Sequence, residues 1–448
     1  MDLQNFKEKL FAAAKAAGLA EYELYAKRKA SFGVNIFEGQ IDEYKSEQSL
    51  GVCFRGKADG KMGYAFSEKI DDGVIAFLVD NVIQNAAVIE DPEEEHIYGG
   101  DPAYPAVDCY NPALDKVPAE TKIEAAMQIE RAAKATDNRV ENVPYCYVGN
   151  DETEVFIANS KGLNVTTKSN CIAGMAETQV EGADEQVKTA FDIYVGPDFD
   201  KLNPDTIGQT SAKKALASLG ASSVPSGKYA VVFNREAASG MLDTWTGAFS
   251  AEQAHKGFSI LAGKLGESIA AGCVTIIDDP LLPNHPKTTP FDSEGVASRT
   301  KTVVDGGVFK TFLHNTKTAR KDGVEPTGNG FKWDYALPVD IAPTNFYIKP
   351  GEHSHETLLE KMGSGVVITG VEGLHSGANE TSGDFSLSAS GFLVEGGQVT
   401  RPVDQITISG NFFTMLKDIV AVGSNLEFTY SGTVAPSLYV RELDIAGE

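Results

Sequence analysis

Leu3, Phe6, Leu10, Ala14 and Ala17 recur at helical spacing behind Asp2, and Gly18 closes the run, so the chain opens with an amphipathic helix capped at Asp2. The period then shortens to two. Tyr22–Ala26, Ser31–Phe37, Leu50–Phe54 and Met62–Phe66 read as strands, with turns at Glu38-Gly39 and at Asp59-Gly60. An Asp-Gly pair between strand-like runs is a strong hairpin signal. Ile70–Ala86 and Pro118–Ala135 return to helical spacing, the second with Pro118 at its start and Ile123, Ala126 and Met127 on one face. From Glu154 to Val195 short strands follow one another as an antiparallel meander, the first turning through Asn159-Ser160-Lys161-Gly162. A helix over Ile207–Leu219 ends at Gly220, and the small polar run from Ala221 to Gly227 is the best linker in the chain.

Past the linker, Tyr229–Phe233 is a strand of the buried type, followed by a helix from about Glu236 to Phe249. Val274–Ile277, Thr302–Val304, Val308–Leu313, Gly365–Thr369, Gly391–Val394, Val399–Pro402 and Ile406–Gly410 are short strands separated by Gly-rich turns, with helices at His355–Met362 and Phe412–Val420. Many short strands joined by such turns predict a rolled or barrel-like sheet. The class is α+β: an N-terminal α+β domain with an antiparallel sheet over residues 1–221, and a β-rich domain with a curved, barrel-like sheet over residues 228–448.

Composition narrows the function classes. The 448 residues, 42% hydrophobic and 23% charged, describe a folded chain with room for two or three domains. Sixty-three acidic against 39 basic residues give a net charge of −24, which argues against nucleic acid and anionic membranes as partners. The densest basic text, Lys27-Arg28-Lys29, lacks interleaved aromatics and reads as a solvated strand edge or turn. Five widely spaced cysteines with no C-x-x-C predict reduced, mostly buried thiols. No signal-like start and no apolar run of spanning length point to a cytoplasmic protein.

The familiar catalytic signatures do not occur: no H-E-x-x-H or H-E-x-x-x-H, no G-x-x-x-x-G-K-[ST], no G-x-S-x-G. Weaker groupings remain. His353-Ser354-His355-Glu356 places two imidazoles and a carboxylate together, but reads as a helix start capped by Ser354. Glu252 and His255 stand one turn apart, a spacing common in surface pairs. Asp292 and Glu294 flank Ser293, where Asp292 either caps a bend or touches a ligand. The run Gly373 to Ser386, with three glycines among small polar residues, is either a tight connection or a loop that approaches another chain closely.

Ordered agreement in the second half carries a resemblance. Pro290-Phe291-Asp292-Ser293-Glu294-Gly295-Val296, Asp305-Gly306-Gly307-Val308, Thr318-Ala319-Arg320-Lys321, Thr327-Gly328-Asn329, Pro343-Thr344-Asn345, Ser382-Gly383-Asp384-Phe385-Ser386 and Pro402 to Asn411 follow one another as in the TldD/PmbA family. The likeness is strongest from Ser222 onward and resembles the PmbA (TldE) branch. The other branch resembles TldD and carries an H-E-x-x-x-H helix plus a C-terminal cysteine as zinc ligands. The stretch aligned with that helix here reads Leu242-Asp243-Thr244-Trp245-Thr246-Gly247, and Ser431–Ser437 has no cysteine. The resemblance therefore implies a chain that binds no cofactor itself and pairs with a TldD-type subunit supplying zinc, the two acting on an unfolded peptide. It names no catalytic residue and no metal ligand in this chain. Candidates for a substrate cleft are Arg320 and, on the Gly373–Ser386 loop, His375, Asn379, Thr381, Asp384 and Ser386. A homodimer, a protein-binding regulator of the DNA-gyrase-modulator type, and a self-sufficient hydrolase using His255, His353, His355 or His375 are the alternatives.

Overall fold

The computed structural model describes residues 2–90 and 95–448. Its first half is one six-stranded antiparallel sheet: β1 (Tyr22–Phe37), β2 (Gln40–Ala58), β3 (Lys61–Ser67), β4 (Val140–Asn159), β5 (Asn164–Glu181) and β6 (Val187–Gly196), in the order β3-β2-β1-β4-β5-β6. The strands are longer than the sequence pattern predicts. Lys27-Arg28-Lys29 is not an edge or a turn but mid-strand, paired with Gly51, Leu50 and Ser49 on one side and Val155, Glu154 and Thr153 on the other.

Side chains alternate across a strand, and here the two faces have different neighbours. Even positions, among them Leu24, Ala26, Val52, Phe54, Phe156 and Ala158, pack beneath α1 (Leu3–Ala16) and α2 (Asp72–Ala87). Val34, Cys146, Val148, Ile172 and Ala176 continue that face beneath α3 (Ala119–Lys134) and α4 (Pro204–Ala217). Odd positions face the second half of the chain: Tyr25, Cys53 and Ile157 pack with Phe291. Asp2 stands at the first helix's N-cap without a side-chain hydrogen bond, whereas Asp71 caps the next by accepting from Gly73 and Val74 N–H.

The second half is built on a closed five-stranded barrel. Strands Gln398–Asn411, Asp384–Glu395, Gly365–Glu372, Gly227–Phe233 and Leu438–Ala446 pair in turn, and the last returns to the first through Thr407↔Ala446, Ile408↔Ile445 and Ser409↔Asp444. Closure removes the free edges a sheet would otherwise expose. The pairing of Gly365–Glu372 with Gly227–Phe233 is parallel, and the other pairings are antiparallel. Helix Arg235–Thr244 follows the strand Gly227–Phe233 and buries Ala237, Ala238, Met241 and Leu242 in the barrel-side core. Trp245 ends it, fully buried and stacked on Phe412 with ring centroids 4.6 Å apart. A second, five-stranded sheet includes Ile276–Asp278, Lys301–Asp305, Phe346–Ile348 and Thr433–Val434. Only Cys53 and Cys146 of the five thiols are buried; Cys109 and Cys171 are intermediate and Cys273 is exposed, a correction to the mostly buried expectation.

Candidate functional site

The odd-numbered face of the sheet and the loops of the barrel half enclose a cavity of about 430 Å³. Its floor is Tyr25 and Lys27 of β1, Thr153 and Val155 of β4, and Thr167 and Ser169 of β5. Period two puts these side chains on the face away from the helices. Its opposite wall is the end of helix Arg235–Thr244, with Asp243, Thr246 and Gly247, together with Ser431 and Thr433. Loops holding Lys287, Ser293, Lys332 and Thr344 complete it.

Those loops have little regular structure, and buried side chains hold them. Asp278 is fully buried and accepts hydrogen bonds from Thr344 N–H (2.6 Å), Thr344 Oγ1 (2.6 Å) and Asn329 Nδ2 (2.8 Å), and pairs with Lys301 Nζ at 2.9 Å. Asp292 accepts from the N–H groups of Glu294 (2.9 Å), Val296 (3.0 Å) and Gly330 (2.9 Å). It is a bend cap, and one of its two oxygens also ties the loop at Gly330 to the bend. Glu294 accepts from Thr316 N–H at 2.7 Å. Burial, and for Asp292 the neighbouring Glu294 charge, push both carboxyls up against these donors. Asn345 donates to Asp279 O and accepts from Lys287 N–H, fixing the segment that carries the Lys287 side chain into the cavity. Much of the motif text that carries the resemblance thus acts as scaffold for the cavity wall.

Inside, the charged groups are partly desolvated. Burial pushes the Asp243 carboxyl up, opposed by a hydrogen bond with Thr433 and by the Lys287 charge. Burial also lowers the Lys27 and Lys287 ammonium groups, and it raises the Tyr25 phenol to about 12 against a hydrogen bond with Ser293.

The candidates from the sequence divide between two places. His375 lies on the short helix Leu374–Gly377; Asn379 and Thr381 lie in the turn after it; Asp384 and Ser386 are already on a barrel strand. Trp245 Nε1 donates to Asn379 O at 3.2 Å, and Asn379 Oδ1 accepts from Thr381 and Ser382 N–H. Asp384 accepts from Ser382 Oγ and Asn411 Nδ2, which hold its carboxyl below the usual range. None of the five lines the cavity above. Arg320, on helix Thr316–Asp322, lines a different cavity of about 790 Å³ with Arg55, Tyr64, Glu252 and Glu294. His255 pairs with Asp322 at 2.7 Å, not with Glu252, and Ser354 caps its helix at Thr357 N–H. The sequence reading missed Tyr25, Lys27, Asp243 and Lys287; the odd-position alternation of β1 was the available signal for the first two.

Three family models match in order: PmbA/TldA metallopeptidase domain 1 over residues 22–86, its central domain over 112–219 and its C-terminal domain over 226–447. A solved structure from Thermotoga maritima, described as a candidate modulator of a DNA gyrase, is 35% identical, with a TM-score of 0.93 covering 99% of this chain and 100% of that one. The chain belongs to the PmbA/TldD family. Among curated relatives, the metalloprotease PmbA of Escherichia coli O157:H7 is 28% identical over 95% of this chain and 92% of its own length. A metalloprotease PmbA homolog of Haemophilus influenzae is 26% identical over 97% and 94%. The TldE of Thermococcus kodakarensis, 23% identical with a TM-score of 0.89 over 99% of this chain and 100% of that one, shares the fold.

For a PmbA/TldD member the question is whether these residues fit zinc. A hydrolytic site uses three protein donors, drawn from imidazole, thiolate and carboxylate. At the cavity wall the stretch Leu242–Gly247 offers one carboxylate, Asp243, and the C-terminal wall offers the hydroxyls of Ser431 and Thr433. Among the described residues no three His, Cys, Asp or Glu side chains gather closely enough to hold a metal ion. The donor set does not fit zinc. No helix among the described residues is long and apolar enough to cross a membrane.

Proposed function

We propose that this chain is the non-metallated, PmbA/TldE-type subunit of a two-subunit peptidase, contributing a peptide cleft while a TldD-type partner supplies the zinc. One observation carries the reading. The two segments where the family resemblance would place zinc donors, Leu242–Gly247 and Ser431–Ser437, both reach the same cavity, and they bring a single carboxylate and hydroxyls to it. On this reading the activation of water is left to the zinc of the partner subunit. What it offers is a cavity floored by a sheet and lined by polar groups that can meet the ends and side chains of a peptide. The location is the cytoplasm.

The test is to purify the chain alone and with a TldD-type subunit from the same genome, and to measure zinc content and cleavage of an unfolded peptide in each. Zinc and cleavage are expected only in the pair. Stoichiometric zinc in the lone chain, or peptide cleavage by it, overturns the assignment. Absence of cleavage in every such pair shifts the weight to a protein-binding regulator, a reading that the description of the Thermotoga maritima relative as a modulator of a DNA gyrase supports and that the net charge of −24 would direct at a protein rather than at DNA.

A further inference from the structure

The cavity described above opens into a neighbouring space of about 460 Å³ that shares Lys27, Thr153, Ser169, Pro286, Lys287 and Trp333 with it. The charge there runs against the chain as a whole. Acidic residues exceed basic ones 63 to 39 overall, yet this end of the cleft holds three lysines, Lys27, Lys29 and Lys287, against two carboxylates, Asp151 and Asp334.

Among the described residues, two of the lysines have no carboxylate within ion-pair distance. Lys27 Nζ donates to the main-chain oxygen of Trp333 at 2.9 Å, and no carboxylate among the described residues stands within ion-pair distance of it. Lys287 Nζ has neither a hydrogen-bond acceptor nor an ion-pair partner among the described residues; its nearest aromatic group is the Tyr430 ring, at 5.9 Å to the centroid. Lys29 reaches Asp151 at 3.6 Å, and Asp151 also accepts from Tyr430 OH at 3.4 Å, so the carboxylate nearest the cluster is already shared. Burial disfavours both Lys27 and Lys287 as cations; the Asp334 charge on Lys27, and those of Cys171 and Asp243 on Lys287, oppose this without outweighing it. A desolvated ammonium without an anion is costly, and a ligand carboxylate would relieve it with charge-assisted hydrogen bonds. The positions are held firmly: Lys27 is mid-strand in β1, and the Lys287 main chain is tied to Asn345. Thr153 and Ser169 add hydroxyl groups on the same floor.

We propose that Lys27, Lys29 and Lys287 form a subsite for a carboxylate group of a bound peptide, an assignment that rests on the peptide-cleft reading above. The carboxylate is either the peptide's C-terminus or an acidic side chain, since both present the same group.

The test reads binding to the full-length chain without a partner. The probes are a short unstructured N-acetylated peptide with a free C-terminus, the same peptide as its amide, and the amide with one internal glutamate. The free acid is expected to bind about tenfold more tightly than the amide, the ratio of one charge-assisted contact. Lys287→Met should abolish that ratio, and Lys287→Arg should retain it. Tight binding of the glutamate probe identifies a side-chain carboxylate as the source; tight binding of the free acid alone identifies the C-terminus. Equal binding of all three to the wild-type chain overturns the subsite, and this comparison needs no variant. Competition by inorganic phosphate as strong as that by acetate overturns the carboxylate assignment. Failure of the subunit pair to cleave peptides leaves these binding ratios intact, and equal binding leaves the peptidase reading standing.

Discussion

Asp278 is the point at which the cleft wall depends most on one side chain. It is fully buried, and its two oxygens take Thr344 N–H, Thr344 Oγ1, Asn329 Nδ2 and the Lys301 ammonium, itself 7% exposed. Asp278→Ala removes the carboxylate and leaves Lys301 buried with the Thr327 oxygen, at 3.0 Å, as its remaining acceptor. Removing one partner of a buried pair costs about 3–5 kcal/mol, because the other charge stays desolvated. For a folding unit the size of the barrel half that corresponds to a fall of roughly 10 °C in melting temperature. Calorimetry of the wild type, of D278A and of D278A/K301M measures it. The double variant should recover part of the loss, since the stranded ammonium is gone. Peptide binding should weaken in D278A, because Thr344 and its neighbours line the cavity. A loss below about 1 kcal/mol, within the range of ordinary surface substitutions and small core changes, would refute the role given to Asp278. So would a double variant that is no better than the single.

Trp245→Ala should cost about 3–5 kcal/mol in the same scan, since the ring is fully buried on Phe412 and its removal leaves a cavity beside the helix end that walls the cleft. Gly51→Ala sets a methyl group 2.1 Å from the Tyr335 ring; it should destabilise by about 1–3 kcal/mol, and G51A/Y335A should be relieved of that strain if the clash is the cause. Asp404, on a barrel strand, pairs with Lys188 on β6 and so links the two halves. Burial raises its carboxyl, but the Lys188 hydrogen bond and charge and the Gln405 N–H outweigh this and hold it below the usual carboxylate range. A lowered folded-state value adds stability above the unfolded value, roughly pH 4, and that contribution is lost as pH falls through the lower folded value. D404N should therefore melt below the wild type at neutral pH and converge with it in acid; a gap that persists in acid would contradict the linkage.

What the sequence disclosed and what it hid follow from where each pattern has an apolar partner. Helix His355–Met362 and the barrel strand Gly227–Phe233 announce themselves because one face meets a dry core, whereas the barrel strand Leu438–Ala446, whose alternation breaks between Val440 and Leu443, does not. The stretch from Val140 to Glu154 did not read as strand, although it pairs across β1 and β5, because its odd face carries Tyr145, Asp151 and Thr153 toward the cleft or solvent rather than an apolar core. Pro144 and the shifted register between Val140 and Tyr145 blur its alternation further. The same cause split β1 at Lys27-Arg28-Lys29: Ala26 lies on the helix-covered face, while Lys27 and Lys29 line the cleft. A strand that floors a polar cavity loses the hydrophobic half of its period.

The sequence candidates lie apart from the cavity for a related reason. Glycine-rich polar text drew attention to Gly373–Ser386, but glycine there permits positive φ at Gly373 and Gly383 and close packing of Gly377 against the Ser386 carbonyl. Those are demands of a tight connection at the barrel end. The groups that do share a cavity, Lys27, Asp243 and Lys287, are separated by long stretches of chain and meet only because β1 and the barrel loops are folded face to face. Ordered family motifs indicated that Asp292, Asn329, Thr344 and Asn345 matter without indicating how. Their hydrogen bonds to one another's loops supply the reason: a cleft walled largely by irregular chain relies on buried side chains to supplement short main-chain pairings such as Gly330–Phe331 with Asp340–Ile341.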